Sequence, residues 1–127
     1  MNTIIELDIF NADIMIHMGD KKELRRILSK FMPKDKVSGI VGLVSGREDG
    51  RTIHNEDGTT IIYLPGIPSS SKEFGTLAHE IFHAVCFVMK DKGIDLSENS
   101  EEAYAYTIGF VMRKITEYAN ITARSSP

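Results

Sequence analysis

Apolar and polar positions change their period several times along the chain, and each change predicts an element. Residues 3–10 are rich in β-branched side chains, and Ile14, Met15 and Ile16 follow after a turn at Asn11, Ala12 and Asp13. Two short strands are expected there. From Asp20 the period lengthens, with Leu24, Ile27, Leu28 and Phe31 recurring at i, i+3, i+4 and i+7, the stripe of a helix. Asp20 is placed to cap it, Glu23 completes a capping box, and Pro33 ends it. Residues 39–45 (GIVGLVS) read as a strand weakened by its glycines. Residues 47–58 are polar, with Asp-Gly turn signals at 49–50 and 57–58 around a short strand near residues 51–54. Residues 59–64 (TTIIYL) form the strongest strand pattern in the chain. Together the turn signals predict an antiparallel meander.

After a loop at residues 65–71, Ser70 and Glu73 form a second capping box, so a helix should start near Ser71 and run to about Lys90, with Gly93 ending it. Asp95 with Glu98, or Ser97, can cap a last helix that continues to about Asn120. Residues 121–127 read as a frayed tail. No internal repeat, low-complexity segment or linker interrupts the pattern, and residues 1–127 are expected to form a single domain.

Composition narrows the class. The chain has 127 residues, 42% hydrophobic and 26% charged, the balance of a globular domain and not of a disordered one. Its formal charge is −3, from 15 basic and 18 acidic residues, and no basic stripe with interleaved aromatics suggests a nucleic-acid partner. The single cysteine, Cys86, excludes an internal disulfide and suits a reducing compartment. The opening MNTIIELDIF carries Glu6 and Asp8 within its apolar stretch and lacks the basic start of a signal peptide. With no apolar run of membrane-spanning length, the expectation is a cytoplasmic protein without a membrane partner.

The chemistry is concentrated in TLAHEIFHAV, residues 76–85. His79 and His83 stand four apart, on one face of the predicted helix, where both imidazoles can address a single zinc ion. Glu80 is about 100° further round and borders such an ion, from where it can take a proton from metal-bound water. The helix is apolar nearly all round and should be buried, which makes two histidines and a carboxylate costly unless paired or ligated. A catalytic zinc needs a third protein ligand. The extended metzincin pattern would place glycine at position 86 and histidine at 89; Cys86 and Met89 exclude it. Downstream, Glu101 and Glu102 open the last helix. Glu101 shares a stripe with Tyr104, Ala105, Ile108, Met112 and Ile115, whereas Glu102 aligns with Ala105, Tyr106, Gly109 and Arg113. Periodicity favours Glu101 as the inward-facing carboxylate.

HEIFH followed, 19 residues after His83, by Glu102 in E-A-Y-A-Y resembles the gluzincins, the glutamate-ligated zincin metallopeptidases. The pattern is most similar to small intracellular zincins of phages and mobile elements, including the ImmA/IrrE-like group. The resemblance covers residues 63–115. It implies zinc held by His79, His83 and Glu102, with Glu101 as the alternative third ligand, and Glu80 as general base. It also implies an α+β zincin-like fold, in which a small twisted, mostly antiparallel sheet packs on the active-site helix and a ligand-bearing helix follows.

In zincins an exposed edge strand holds an extended peptide by main-chain hydrogen bonds. TTIIYL or GIVGLVS is available for that role, and either also suits an interior position. Tyr104, Tyr106, Tyr63 and His54 are candidates to stabilise an oxyanion. Cys86, a turn past His83, reads as a small core residue, and His17 as structural or exposed. The expected function is a zinc metallopeptidase, a hydrolase whose partner is a peptide or protein substrate, in the narrow case one specific protein. The alternative is a non-catalytic zinc-binding interaction or assembly protein that keeps the fold. Ligands alone leave open a zinc hydrolase for some other bond, and the sequence leaves the oligomeric state open.

Overall fold

The structure, a computed structural model, describes residues 1–46 and 49–121. The fold is α+β. Strands β1 (Asn2–Leu7), β2 (Ala12–Met18), β3 (Arg51–His54) and β4 (Thr60–Leu64) form one sheet in the order β1-β2-β4-β3. Helices α1 (Lys21–Leu28) and α2 (Lys34–Val44) lie between β2 and β3 in sequence, and α3 (Ser71–Asp91) and α4 (Glu101–Tyr118) follow β4. Among the described residues no helix is long and apolar enough to cross a membrane.

The sheet is mixed. β1 with β2 and β3 with β4 are antiparallel, but β2 and β4 run parallel, with Ile14 opposite Thr60 and Met18 opposite Leu64. The meander expected around the Asp-Gly signals is therefore only the β3–β4 hairpin. Alternation along the strands divides the core into two layers. Ile5, Leu7, Ile14, Ile16, Met18, Ile62 and Leu64 pack against α3 and α4. Met15, Ile53, Ile61 and Tyr63 pack against α1 and α2. Every residue of β4 is buried, so TTIIYL is an interior strand and β3 is the edge beside it.

GIVGLVS is helical, not a strand. Val37, Ile40, Val41 and Val44 are the buried face of α2, spaced i, i+3, i+4 and i+7; the period begins at Val37, ahead of the β-branched run that suggested a strand. The first helix stops at Leu28, so Phe31 lies beyond the stripe and is exposed. β1 ends at Leu7 and a short 3₁₀ turn, Asp8–Phe10, follows, with Asn11 in the left-handed region at φ 50°. The last helix starts at Glu101, later than its expected caps, because Ser97 and Ser100 bond one another in the preceding turn.

The capping box of α3 is complete: the Ser70 hydroxyl accepts from the Glu73 N–H, and the Glu73 carboxylate accepts from the Ser70 N–H, each at 3.1 Å. At the other end Gly93, φ +75°, turns the chain back. The Tyr104 hydroxyl donates to the Ile94 carbonyl, and the Tyr118 hydroxyl to the Asn2 carbonyl. Asn2 sits at the end of the sheet where Leu64 leads into α3. So α4 runs antiparallel to α3. Of the expected tail, residues 122–127 lie outside the described residues; Ile121 is half-buried, and its N–H bonds the Thr116 carbonyl.

Candidate metal centre

Helix α3 buries Leu77, Ile81, Ala84, Val85 and Val88 against the sheet and α4, which turns His79, Phe82 and His83 outward. The expectation that this helix is buried all round is corrected here: the histidine face is open to solvent. β3 lies along the same side. Thr52 and His54 point toward α3, whereas Ile53 points to the other layer. Gly50 allows this approach. A Cβ on it would lie 2.9 Å from a Leu64 methyl, 3.0 Å from the Tyr63 carbonyl oxygen and 3.2 Å from the Thr76 methyl, at φ +152°.

His79 Nε2 and His83 Nε2 are 3.1 Å apart, with the rings at 76°. Two donors bound at about 2.0–2.1 Å to one tetrahedral zinc stand about 3.3 Å apart, so this pair fits a shared ion. Glu80 is 8% exposed, with Oε2 3.9 Å from His79 Nε2. The Thr52 hydroxyl lies 2.8 Å from Glu80 Oε1 and 2.9 Å from its carbonyl oxygen. A shallow cleft of about 320 Å³ runs past Gly50, Thr52, Glu80, His83 and Phe87, and a neighbouring one brings in Asp49 and His79. His79, Glu80 and His83 are thus brought together as the motif predicts.

The third donor is not in place. Among the described residues no group of three His, Cys, Asp or Glu side chains is gathered closely enough to hold a metal. Glu101 and Glu102 are exposed on the first turn of α4, and Glu102 lines a groove against residues 6–10 instead of the histidine cleft. Helix direction accounts for this. Toward its C-terminus α3 leaves His83 behind and meets the start of α4, so moving back from Cys86 to His83 moves away from Glu102. Besides Glu80, Asp49 lines the cleft at His79, ion-paired to Lys72 at 3.8 Å.

None of the expected oxyanion donors stands at the pair. Tyr104 is buried and bonded to Ile94, Tyr63 is buried in the other layer, and Tyr106 is exposed on the far face of α4. His54 is engaged elsewhere, with Nε2 3.0 Å from Asp91 Oδ2, Nδ1 2.8 Å from Thr60 Oγ1, and its ring stacked on Phe87 at 4.8 Å. Cys86 packs into the core, where burial raises its thiol pKa. His17 is fully buried and bonds the Asp20 carbonyl at 3.1 Å; burial lowers its pKa. Sequence reasoning missed Thr52 and Asp49, since nothing in a four-residue strand or a polar turn marks a partner for a distant helix.

No protein-family model matches the chain, and no curated protein or solved structure matches it. The reading of the site therefore rests on its own geometry.

Proposed function

We propose that the chain is a zinc-dependent hydrolase of peptide bonds, with His79 and His83 as metal ligands and Glu80 as general base. What carries this reading is the 3.1 Å separation of the two Nε2 atoms beside a buried, hydrogen-bonded carboxylate. Zinc, when bound, polarises a carbonyl and lowers the pKa of water towards 7. Glu80 then has two tasks: its free Oε2 accepts the water proton, and it returns that proton to the leaving amine. Thr52 fixes Oε1, so the reactive oxygen keeps its aim. β3, at the sheet edge beside the cleft, offers main-chain groups to an extended peptide. The shallow cleft favours a narrow substrate, such as one exposed segment of a partner protein.

The third ligand is Glu102 by resemblance, with Glu101 as the alternative, and neither stands near the pair in this fold. That gap is the observation behind a second reading, a non-catalytic zinc-binding interaction protein. Zinc measured by elemental mass spectrometry on untagged protein separates the cases. About one ion per chain is expected, kept in Glu80→Gln while peptide hydrolysis falls about 10²–10⁴-fold. Protein that holds no zinc and takes none up would overturn both readings. Glu80→Gln protein with full biological activity would favour the second. Zinc retention in Glu101→Ala, Glu102→Ala and Asp49→Ala identifies the carboxylate that completes the site.

A further inference from the structure

Helix α4 has a second face that its own fold leaves largely exposed, with Phe110 at its edge half-packed on the core. Tyr104, Thr107, Val111 and Ile115 are buried. Opposite them, within an arc of about 140° at 100° per residue, lie Glu102, Ala105, Tyr106, Gly109, Phe110 and Arg113. Together with Ile9 these residues border a groove of about 880 Å³. Ile9 is 88% and Tyr106 76% exposed, a large apolar exposure for one small patch. Gly109 has nothing within 4 Å of where a Cβ would sit, and its φ is not in the left-handed region. No contact inside this chain requires glycine there, yet glycine in a helix interior costs about 1 kcal/mol relative to alanine.

The order of these residues indicates what covers them. When two copies of one helix pack antiparallel about a two-fold axis, position i meets position j with i + j constant. With the axis between Thr107 and Ile108 the sum is 215, and the sequence is complementary to itself in that register. Glu102 meets Arg113 and Tyr106 meets Gly109, while Ala105 and Phe110 stand at the two edges of the face and flank the contact. The charges are opposite at the ends, and each Tyr106 ring meets a small residue in the middle. We propose that this face docks a second copy of the chain through an isologous α4–α4 contact. Gly109 lets the partner's Tyr106 ring lie against the helix backbone, and each Arg113 enters the other groove, where Glu6 and Asp8 join Glu102. Ile9, on the groove wall, covers the outer side of the incoming helix. The contact spans about 17 Å of helix.

His79 and His83 lie outside this face, but Glu102 is also the third ligand that the resemblance implies, so Arg113→Glu is the variant that tests the interface apart from the metal. Sedimentation velocity at about 10–100 µM is expected to find wild-type dimers. Glu102→Arg and Arg113→Glu each place like charges face to face at both ends, and each should weaken association about tenfold or more. Mixed in equal amounts, the two variants form a heterodimer in which every charge is paired, and the dimer should return. Circular dichroism and melting establish that both exposed substitutions leave the fold intact. Monomeric wild-type protein, dimers indifferent to both changes, or a mixture that stays monomeric would each overturn the proposal. A monomeric wild type would leave the face to a different partner. Zinc content on the same samples keeps the questions apart: Arg113→Glu is expected to keep its metal, and loss of zinc in Glu102→Arg alone marks a ligand role for Glu102, whatever the association state.

Discussion

A single hydroxyl decides how Glu80 is held. Thr52 has one proton and two Glu80 oxygens within reach, the side-chain Oε1 and the main-chain carbonyl. Thr52→Val keeps the volume and removes the donor. Under the proposed function it should lower kcat with little change in KM. Thr52→Ser should restore kcat, whereas a merely structural role would show as a lowered urea midpoint at unchanged kcat. At this scale HEIFH was legible because its geometry is local: four residues of helix set the distance between the imidazoles. Thr52 was not, since its partner lies 28 positions away and only the sheet register brings them together.

Elements were legible where their ends carried chemistry. Ser70 and Glu73 mark the start of α3 and make both bonds of the box in the fold. Ser70→Ala is expected to cost about 1 kcal/mol, read as a lower urea midpoint with an unchanged m-value. α2 was misread because its apolar residues are β-branched and interrupted by glycines at 39 and 42, which weakens helix propensity. Burial of Val37, Ile40, Val41 and Val44 against Ile53 and Ile61 outweighs that local preference. The surroundings of Glu101 and Glu102 were out of reach for a related reason. Counting residues after His83 places a glutamate on the next helix, but the packing of the two helices decides which turn faces which.

For the molecule as a whole, an α+β domain could be read from the chain, but the mixed sheet could not. Parallel pairing of β2 with β4 is set by the packing of α1, α2 and β3, which lie between them in sequence, and no local signal encodes it. One burial has a consequence for stability. His17 lies between the sheet and α1, stacked 6.3 Å from Tyr63, and burial lowers its pKa from the ordinary 6.5. Below pH 6.5 the unfolded chain takes up a proton that the folded chain refuses. Stability is therefore lost as pH falls from 6.5 toward the lower folded-state value, by at most about 1.4 kcal/mol per pH unit, and that loss is absent above 6.5. Urea midpoints at pH 7.5 and 5.5 should show the fall in wild type and a smaller one in His17→Leu.

The parallel β2–β4 pairing also orders events during synthesis. β2 emerges early and must wait for two helices and a strand before its inner neighbour arrives, a long loop to close. Until then Ile14 and Ile16 are bare, and α3 has no seat for Ile81 and Val85. The Thr52–Glu80 contact therefore forms only after β4 and α3 have both emerged. A ribosome that stalls before β4 leaves a sticky hairpin for chaperones to hold.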